Sequence, residues 1–196
     1  MMTVLLLVFA YLIGSIPTGL IVGKQFWQTD LRNYGSKNIG ATNAWRVLGK
    51  KAGITIFLLD FLKGVLPTAL ALNFLETPLE AVLVGALAIV GHSCSIFLKF
   101  KGGKSVSTGL GVILALMPTV TVIVFISWLI IVKYSGYVSL ASIIASLLVP
   151  ILSLCFGEDM VYTIFGVLIA IFIIYRHKAN IERLRAGTES KIVAHK

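Results

Sequence analysis

Long apolar runs alternate with short polar stretches along the whole chain. The runs occupy positions 3–22, 52–72, 81–98, 105–132, 137–156 and 161–175. Most are long enough to cross ~30 Å of hydrocarbon, which takes ~20 helical residues. Each is therefore predicted to be a membrane-embedded helix. The first contains Gly14, Ser15, Pro17 and Gly19, so a kink or a close helix contact is expected near its end. The run 105–132 is broken by Pro118 and is read as two short tilted helices, 105–117 and 119–132. Pro150 interrupts 137–156. The chain is read as one transmembrane domain, 1–196, with the apolar N-terminus retained as a first helix rather than a signal peptide.

Composition strengthens this reading. Hydrophobic residues make up 58% of the 196 and charged residues 13%, and mean hydropathy is +0.97. A soluble domain carries roughly 45–50% apolar residues. Cys94 and Cys155 lie in or near different apolar runs and show no metal-ligand spacing, so no metal and no cofactor are expected.

Charge then orients the spans. Of 17 Lys and Arg, six lie in 24–51, three in 99–104, one at 133 and six in 176–196, and Lys63 lies inside a span. The loops around Glu76–Glu80 and Glu158–Asp159 carry none. Basic residues concentrate on the cytoplasmic side. The partition predicts an all-α integral membrane bundle of seven helices, N-terminus outside and C-terminus in the cytoplasm. The net charge of +9 sits in these loops rather than along one face, which argues against nucleic acid as a partner.

Three polar segments thereby fall on one face. The first, Gly35-Ser36-Lys37-Asn38-Ile39-Gly40-Ala41-Thr42-Asn43, packs hydrogen-bond donors among small residues, and Arg46 follows with a fork suited to phosphate. The second, Lys101-Gly102-Gly103-Lys104-Ser105, is glycine-rich and basic, and its backbone N–H groups and lysines suit an anion. The third runs from Arg176 to Arg185, where His177 and Asn180 share a face if the last helix continues. Such a pair can bind a polar substrate or exchange a proton. Its arginines and lysines alone would suit anionic lipid.

Within the spans, Asp60 and Lys63 are spaced to neutralise one another, as a structural pair or as part of the site. Ser139 and Ser142 could line the same cavity, or bond their own helix backbone. His92 reads as a packed, hydrogen-bonded residue. The nucleotide P-loop pattern fails, because Leu98 occupies its first glycine position. A GxSxG nucleophile is absent, as is a His followed five residues later by Asp, so no covalent nucleophile stands out. A transporter for a phosphorylated or anionic solute is the alternative. It should show polar residues through the bilayer depth and an internal repeat, and no convincing repeat is present.

Taken together, the segments resemble the bacterial acyl-phosphate-dependent glycerol-3-phosphate acyltransferase family. The resemblance rests on 35–43 with Arg46, Gly91-His92 with Phe100–Lys104, and Tyr175–Lys178 with Asn180. Leu59–Gly64 and Val138–Ser142 add to it. It implies a seven-helix membrane fold. It also implies transfer of an acyl group from acyl phosphate to the 1-position of glycerol 3-phosphate, giving lysophosphatidic acid and phosphate. A soluble acyl-phosphate synthase is the implied upstream partner, and the bacterial plasma membrane the location, with the site facing the cytoplasm. Ser36, Arg46, Lys104 and His177 are the implied catalytic set. Gly102, Gly103, Asn38, Thr42, Asn43, Ser142 and Asn180 are the expected substrate contacts. One departure is Ser105-Val106-Ser107, where many members are expected to carry Gly-Val-Ala or similar.

Overall fold

The computed structural model describes residues 1–192, among which there is no strand. The helices are α1 (Met2–Ser15), α2 (Thr18–Trp27), α3 (Ala41–Leu48), α4 (Lys50–Phe74), α5 (Pro78–Ser93), α6 (Val106–Leu116), α7 (Pro118–Ser135), α8 (Val138–Cys155), α9 (Met160–Arg176) and α10 (Lys178–Arg185). The backbone groups into two compact units, Met1–Val112 and Ile113–Lys196. Lys196, part of the basic tail, and positions 193–195 lie outside the described residues.

Local sequence explains the breaks. Proline supplies no N–H and pushes the preceding residue to an extended conformation. Ile16 accordingly leaves the helix at φ −56°, ψ 120°, and α1 gives way to α2 at a bend of 40°. Met117 is extended before Pro118, which opens α7 as its first residue. α5 begins at Pro78 behind a capping box, in which the Thr77 hydroxyl accepts the Glu80 N–H and the Glu80 carboxylate accepts the Thr77 N–H.

In the first unit α1 packs along α5 and α4, α4 packs along α5, and α2 and α3 lie against α4. Small residues set these distances. A methyl group at Gly91 would strike the Tyr11 carbonyl, and one at Gly64 the Thr108 carbonyl. Lipid gives helices no hydrophobic reason to associate, so close backbone approach matters. In the second unit α8 packs against α7 and α9, and α10 touches both α8 and α9.

Among the described residues, four helical stretches are long and apolar enough to cross a membrane by themselves: α4, Pro78–Leu98, α7 and α8. The bent pairs α1–α2 and α9–α10 bring the number to six, and α6 is a shorter apolar helix. Of the pair flanking Pro118, α6 has 11 residues and α7 has 18. Burial follows the bilayer's logic. On α4, Leu58, Leu59, Leu62 and Leu66 are exposed while Asp60, Lys63 and Gly64 are buried. Hydrocarbon solvates the leucines and would penalise the charges, so the polar side turns inward.

Candidate functional site

The glycine-rich loop folds back onto the end of α5. Lys99 and Phe100 take positive φ values of 52° and 62°, which reverse the chain sharply. The Gly102 N–H then donates to the Ser93 carbonyl at 2.9 Å and the Gly103 N–H to the His92 carbonyl at 3.0 Å. These carbonyls belong to the last turn of α5 and lack intrahelical partners. The expectation that the two glycine amides face an anion is thereby corrected: both satisfy the helix end. What the loop still offers an anion is its lysines, Lys101, which is exposed, and Lys104, which is half-buried, together with the first turn of α6.

Ser105 stands at φ +59°, a conformation that favours glycine. Its hydroxyl lies 2.6 Å from that of Ser93 and donates to the Ile89 carbonyl at 2.8 Å. Ser105 thus holds a conformation that glycine adopts more easily, and its buried hydrogen bonds tie the start of α6 to α5.

Behind the loop is a charged cluster. The Lys63 ammonium donates to Asp60 Oδ1 at 2.7 Å, to the Thr18 hydroxyl at 3.0 Å and to the Ile16 carbonyl freed at the α1–α2 break. Thr18 also donates to Asp60. His92 Nδ1 lies 3.6 Å from the same carboxylate oxygen. Asp60, Lys63 and His92 are all below 8% exposure. The predicted pair is therefore real, and it reaches two residues that spacing did not connect with it, Thr18 and His92.

The segment 35–46 is organised by Asn43. The two protons of its side-chain NH2 are shared among the carbonyls of Leu31, Tyr34 and Asn38 at 3.2, 3.1 and 2.8 Å, and its oxygen accepts the Ser36 N–H at 2.9 Å. Asn43 is expected as a substrate contact, but its polar atoms are committed to the loop that presents Ser36. Gly35, at φ +56°, has no room for a side chain, because a Cβ would run into Asn43 Oδ1. The Asn38 side chain accepts the Gly40 N–H at 2.9 Å and so shapes the entry to α3. Thr42 and Arg46 lie four residues apart on one face of α3, and Ser36 is exposed at the loop's tip.

In the second unit, α9 does not run straight into α10; the pair bends by 61° at His177. His177 Nδ1 lies 2.7 Å from the Ile173 carbonyl. Because a carbonyl can only accept, that contact makes Nδ1 the donor. Asn180 donates to Glu189 Oε1 at 2.6 Å, Ser139 donates to the same oxygen at 2.8 Å, and Arg183 Nε donates to Glu189 Oε2 at 2.7 Å. Glu189 gives little signal in the sequence, because it is one of two acids, with Glu182, scattered in a basic tail. Ser142 donates to the Val138 carbonyl of its own helix at 2.8 Å and accepts from Trp128 at 3.2 Å.

Burial pushes the Glu189 carboxyl up, but the donors Asn180, Ser139 and Arg183 outweigh it and hold the group below the ordinary glutamate range. A depressed folded-state pKa stabilises above the unfolded value, and that stability is lost as pH falls through the folded one. Limited proteolysis should therefore cut 178–189 faster at pH 4 than at pH 7. Glu189→Gln should abolish most of that difference.

Known proteins extend these observations. A sequence model of the family described as glycerol-3-phosphate acyltransferase matches residues 4–187. The glycerol-3-phosphate acyltransferase of Fusobacterium nucleatum is 46% identical over 185 residues, covering 94% of this chain and 95% of that one. One from Listeria monocytogenes is 47% identical over 192 residues, covering 96% of each. In backbone, the chain is similar to PlsY (YgiH), an integral membrane glycerol 3-phosphate acyltransferase, in its glycerol 3-phosphate form. That match has a TM-score of 0.93 at 41% identity and covers 97% of this chain and 96% of PlsY. The lysophosphatidic acid form of PlsY matches with a TM-score of 0.91 at 39% identity, over 97% and 95% of the two chains. Alike over nearly its whole length in both sequence and backbone, this integral membrane chain belongs to the glycerol-3-phosphate acyltransferase family.

Proposed function

We propose that the protein transfers a fatty acyl group from acyl phosphate to the sn-1 hydroxyl of glycerol 3-phosphate. The products are lysophosphatidic acid and inorganic phosphate, and the step belongs to phospholipid synthesis. The observation that carries this reading is the full-length likeness to PlsY, crystallised with both glycerol 3-phosphate and lysophosphatidic acid. In this reading the protein spans the bacterial plasma membrane with its basic loops in the cytoplasm, as the distribution of Lys and Arg favours.

The residues suit an activated donor. The glycerol oxygen attacks the acyl carbon, the bond from that carbon to the phosphate oxygen breaks, and the hydroxyl proton passes to a phosphate oxygen. No enzyme nucleophile enters. The protein's work is to hold two phosphates against their repulsion and to stabilise charge on the carbonyl and departing phosphate oxygens. Lys104 carries that role on the loop, with Ser36 and Arg46 on the 35–46 segment. Gly102 and Gly103 act by shaping the loop, and Asn38, Thr42 and Asn43 by shaping the segment. His177 and Asn180 serve as polar contacts for substrate, with His177 a phosphate binder rather than the base. A soluble enzyme that makes acyl phosphate would supply the donor.

Two measurements test this. With labelled glycerol 3-phosphate, acyl phosphate should give lysophosphatidic acid with one phosphate released per acyl group, while an acyl thioester gives none. Product from the thioester alone would overturn the donor assignment. His177→Gln should raise the KM for glycerol 3-phosphate about tenfold and leave kcat within about threefold, a loss of order 1.4 kcal/mol in binding. Normal binding with lost turnover would make His177 the base instead.

A further inference from the structure

We propose that His92 is a positioning residue, whose imidazole is the seat on which the Gly102–Lys104 loop rests. The inference builds on the function above and concerns the first unit alone. Three observations carry it.

The loop is bonded to the α5 end at His92 itself, through the Gly103 N–H on the His92 carbonyl, and at its neighbour Ser93. The Ser93 hydroxyl also lies 3.2 Å from the Gly103 carbonyl. Gly103 further lies directly against the His92 ring. The nearest atoms a Cβ there would meet are Nε2, Cδ2 and Cε1, all of that ring. The ring in turn is buried and faces a fixed carboxylate: Nδ1 lies 3.6 Å from Asp60 Oδ1, which Lys63 and Thr18 hold. Lys104 follows Gly103 directly. An imidazole that cannot turn away therefore sets the height at which the lysine leaves the loop.

The two glycines are distinct in this arrangement. A methyl on Gly102 would strike backbone, the His92 carbonyl. At Gly103 the three nearest atoms a methyl would meet all belong to the imidazole side chain. Neither glycine has a positive φ, so alanine is acceptable to the backbone at both positions. The obstacle at 103 is thus one side chain, and shortening that side chain removes it.

This makes a double-mutant test with an internal control. The five variants Gly103→Ala, Gly102→Ala, His92→Ala and each glycine variant combined with His92→Ala are purified and compared with the unaltered chain. Acyl transfer and hydrogen exchange of the peptide 99–108 are both measured. Gly103→Ala should lower kcat/KM at least thirtyfold in the natural background and less than threefold in the His92→Ala background. Gly102→Ala should lower it equally in both. His92→Ala alone should raise exchange of 99–108 about tenfold, raise the KM for glycerol 3-phosphate, and leave exchange of α8 unchanged. If His92→Ala does not fold, His92→Asn, which keeps a donor facing Asp60, replaces it with the same expected pattern. Equal effects of Gly103→Ala in both backgrounds, or unchanged exchange of 99–108 in the His92 variant, would overturn the proposal. If the unaltered protein transfers no acyl group, the proposed function fails, and hydrogen exchange still decides whether His92 seats the loop.

Discussion

Lys104→Ala is expected to lose lysophosphatidic acid formation by at least about 100-fold in kcat/KM, the scale on which one preorganised charge or donor acts at a developing oxyanion. The reason is the loop's own bonding. Its two glycine N–H groups are engaged with the Ser93 and His92 carbonyls, so they cannot share the anionic load. The ammonium of Lys104 is left as the strongest positive element the loop offers before α6 begins. Truncation removes that charge and leaves the Gly102 and Gly103 N–H bonds to α5 in place. The variant should therefore keep its thermal midpoint in detergent within a few degrees while activity disappears. Lys104→Arg should recover only part, because a planar fork does not replace a point charge at a fixed height. Full activity in Lys104→Ala would remove this residue from the site.

Asp60→Ala should be the most destabilising single change, at about 3–5 kcal/mol. Asp60 neutralises a lysine that is 5% exposed inside a helix surrounded by lipid. Without it, Lys63 keeps, among the described residues, the neutral Thr18 hydroxyl and Ile16 carbonyl as hydrogen-bond partners. Replacing both members, Asp60→Leu with Lys63→Met, removes the uncompensated charge and should regain most of the stability. Thermal unfolding and gel-filtration monodispersity of the two variants decide the matter. A single variant as stable as the unaltered protein would mean that the cluster is hydrated or otherwise compensated.

Much of the fold could be read from patterning because lipid imposes simple rules. Apolar runs mark the helices, and Pro17 and Pro118 mark breaks that follow from the missing N–H and the strained preceding residue. The bend at His177 had no such marker. No proline or glycine stands there, and the turn follows from how α10 packs on α8 and α9. The short helix α3 was hidden inside a segment that looked uniformly polar, because its apolar residues Ala44 and Val47 meet a local core around Leu31 and Ile56 rather than lipid.

The candidate residues were legible as types and less so as directions. Glycine and lysine at 102–104 signalled an anion loop, but composition cannot say which way an amide points, and Gly102 and Gly103 point into α5. Asn43 read as a ligand because asparagine among small residues often is one. Its four bonds to residues 31–38 can be seen only once the loop has closed around it. The acid at 60 and the base at 63 announced each other by spacing. The histidine at 92, some thirty residues away, could join them only through the packing of α4 on α5.

The most direct test of the acyltransferase reading uses purified full-length protein in sealed vesicles, supplied with acyl phosphate and labelled glycerol 3-phosphate. The unaltered protein should give 1-acyl lysophosphatidic acid and an equal amount of phosphate, and Lys104→Ala neither. Entry of intact glycerol 3-phosphate into the vesicles without any acylated product would contradict it and identify a transporter.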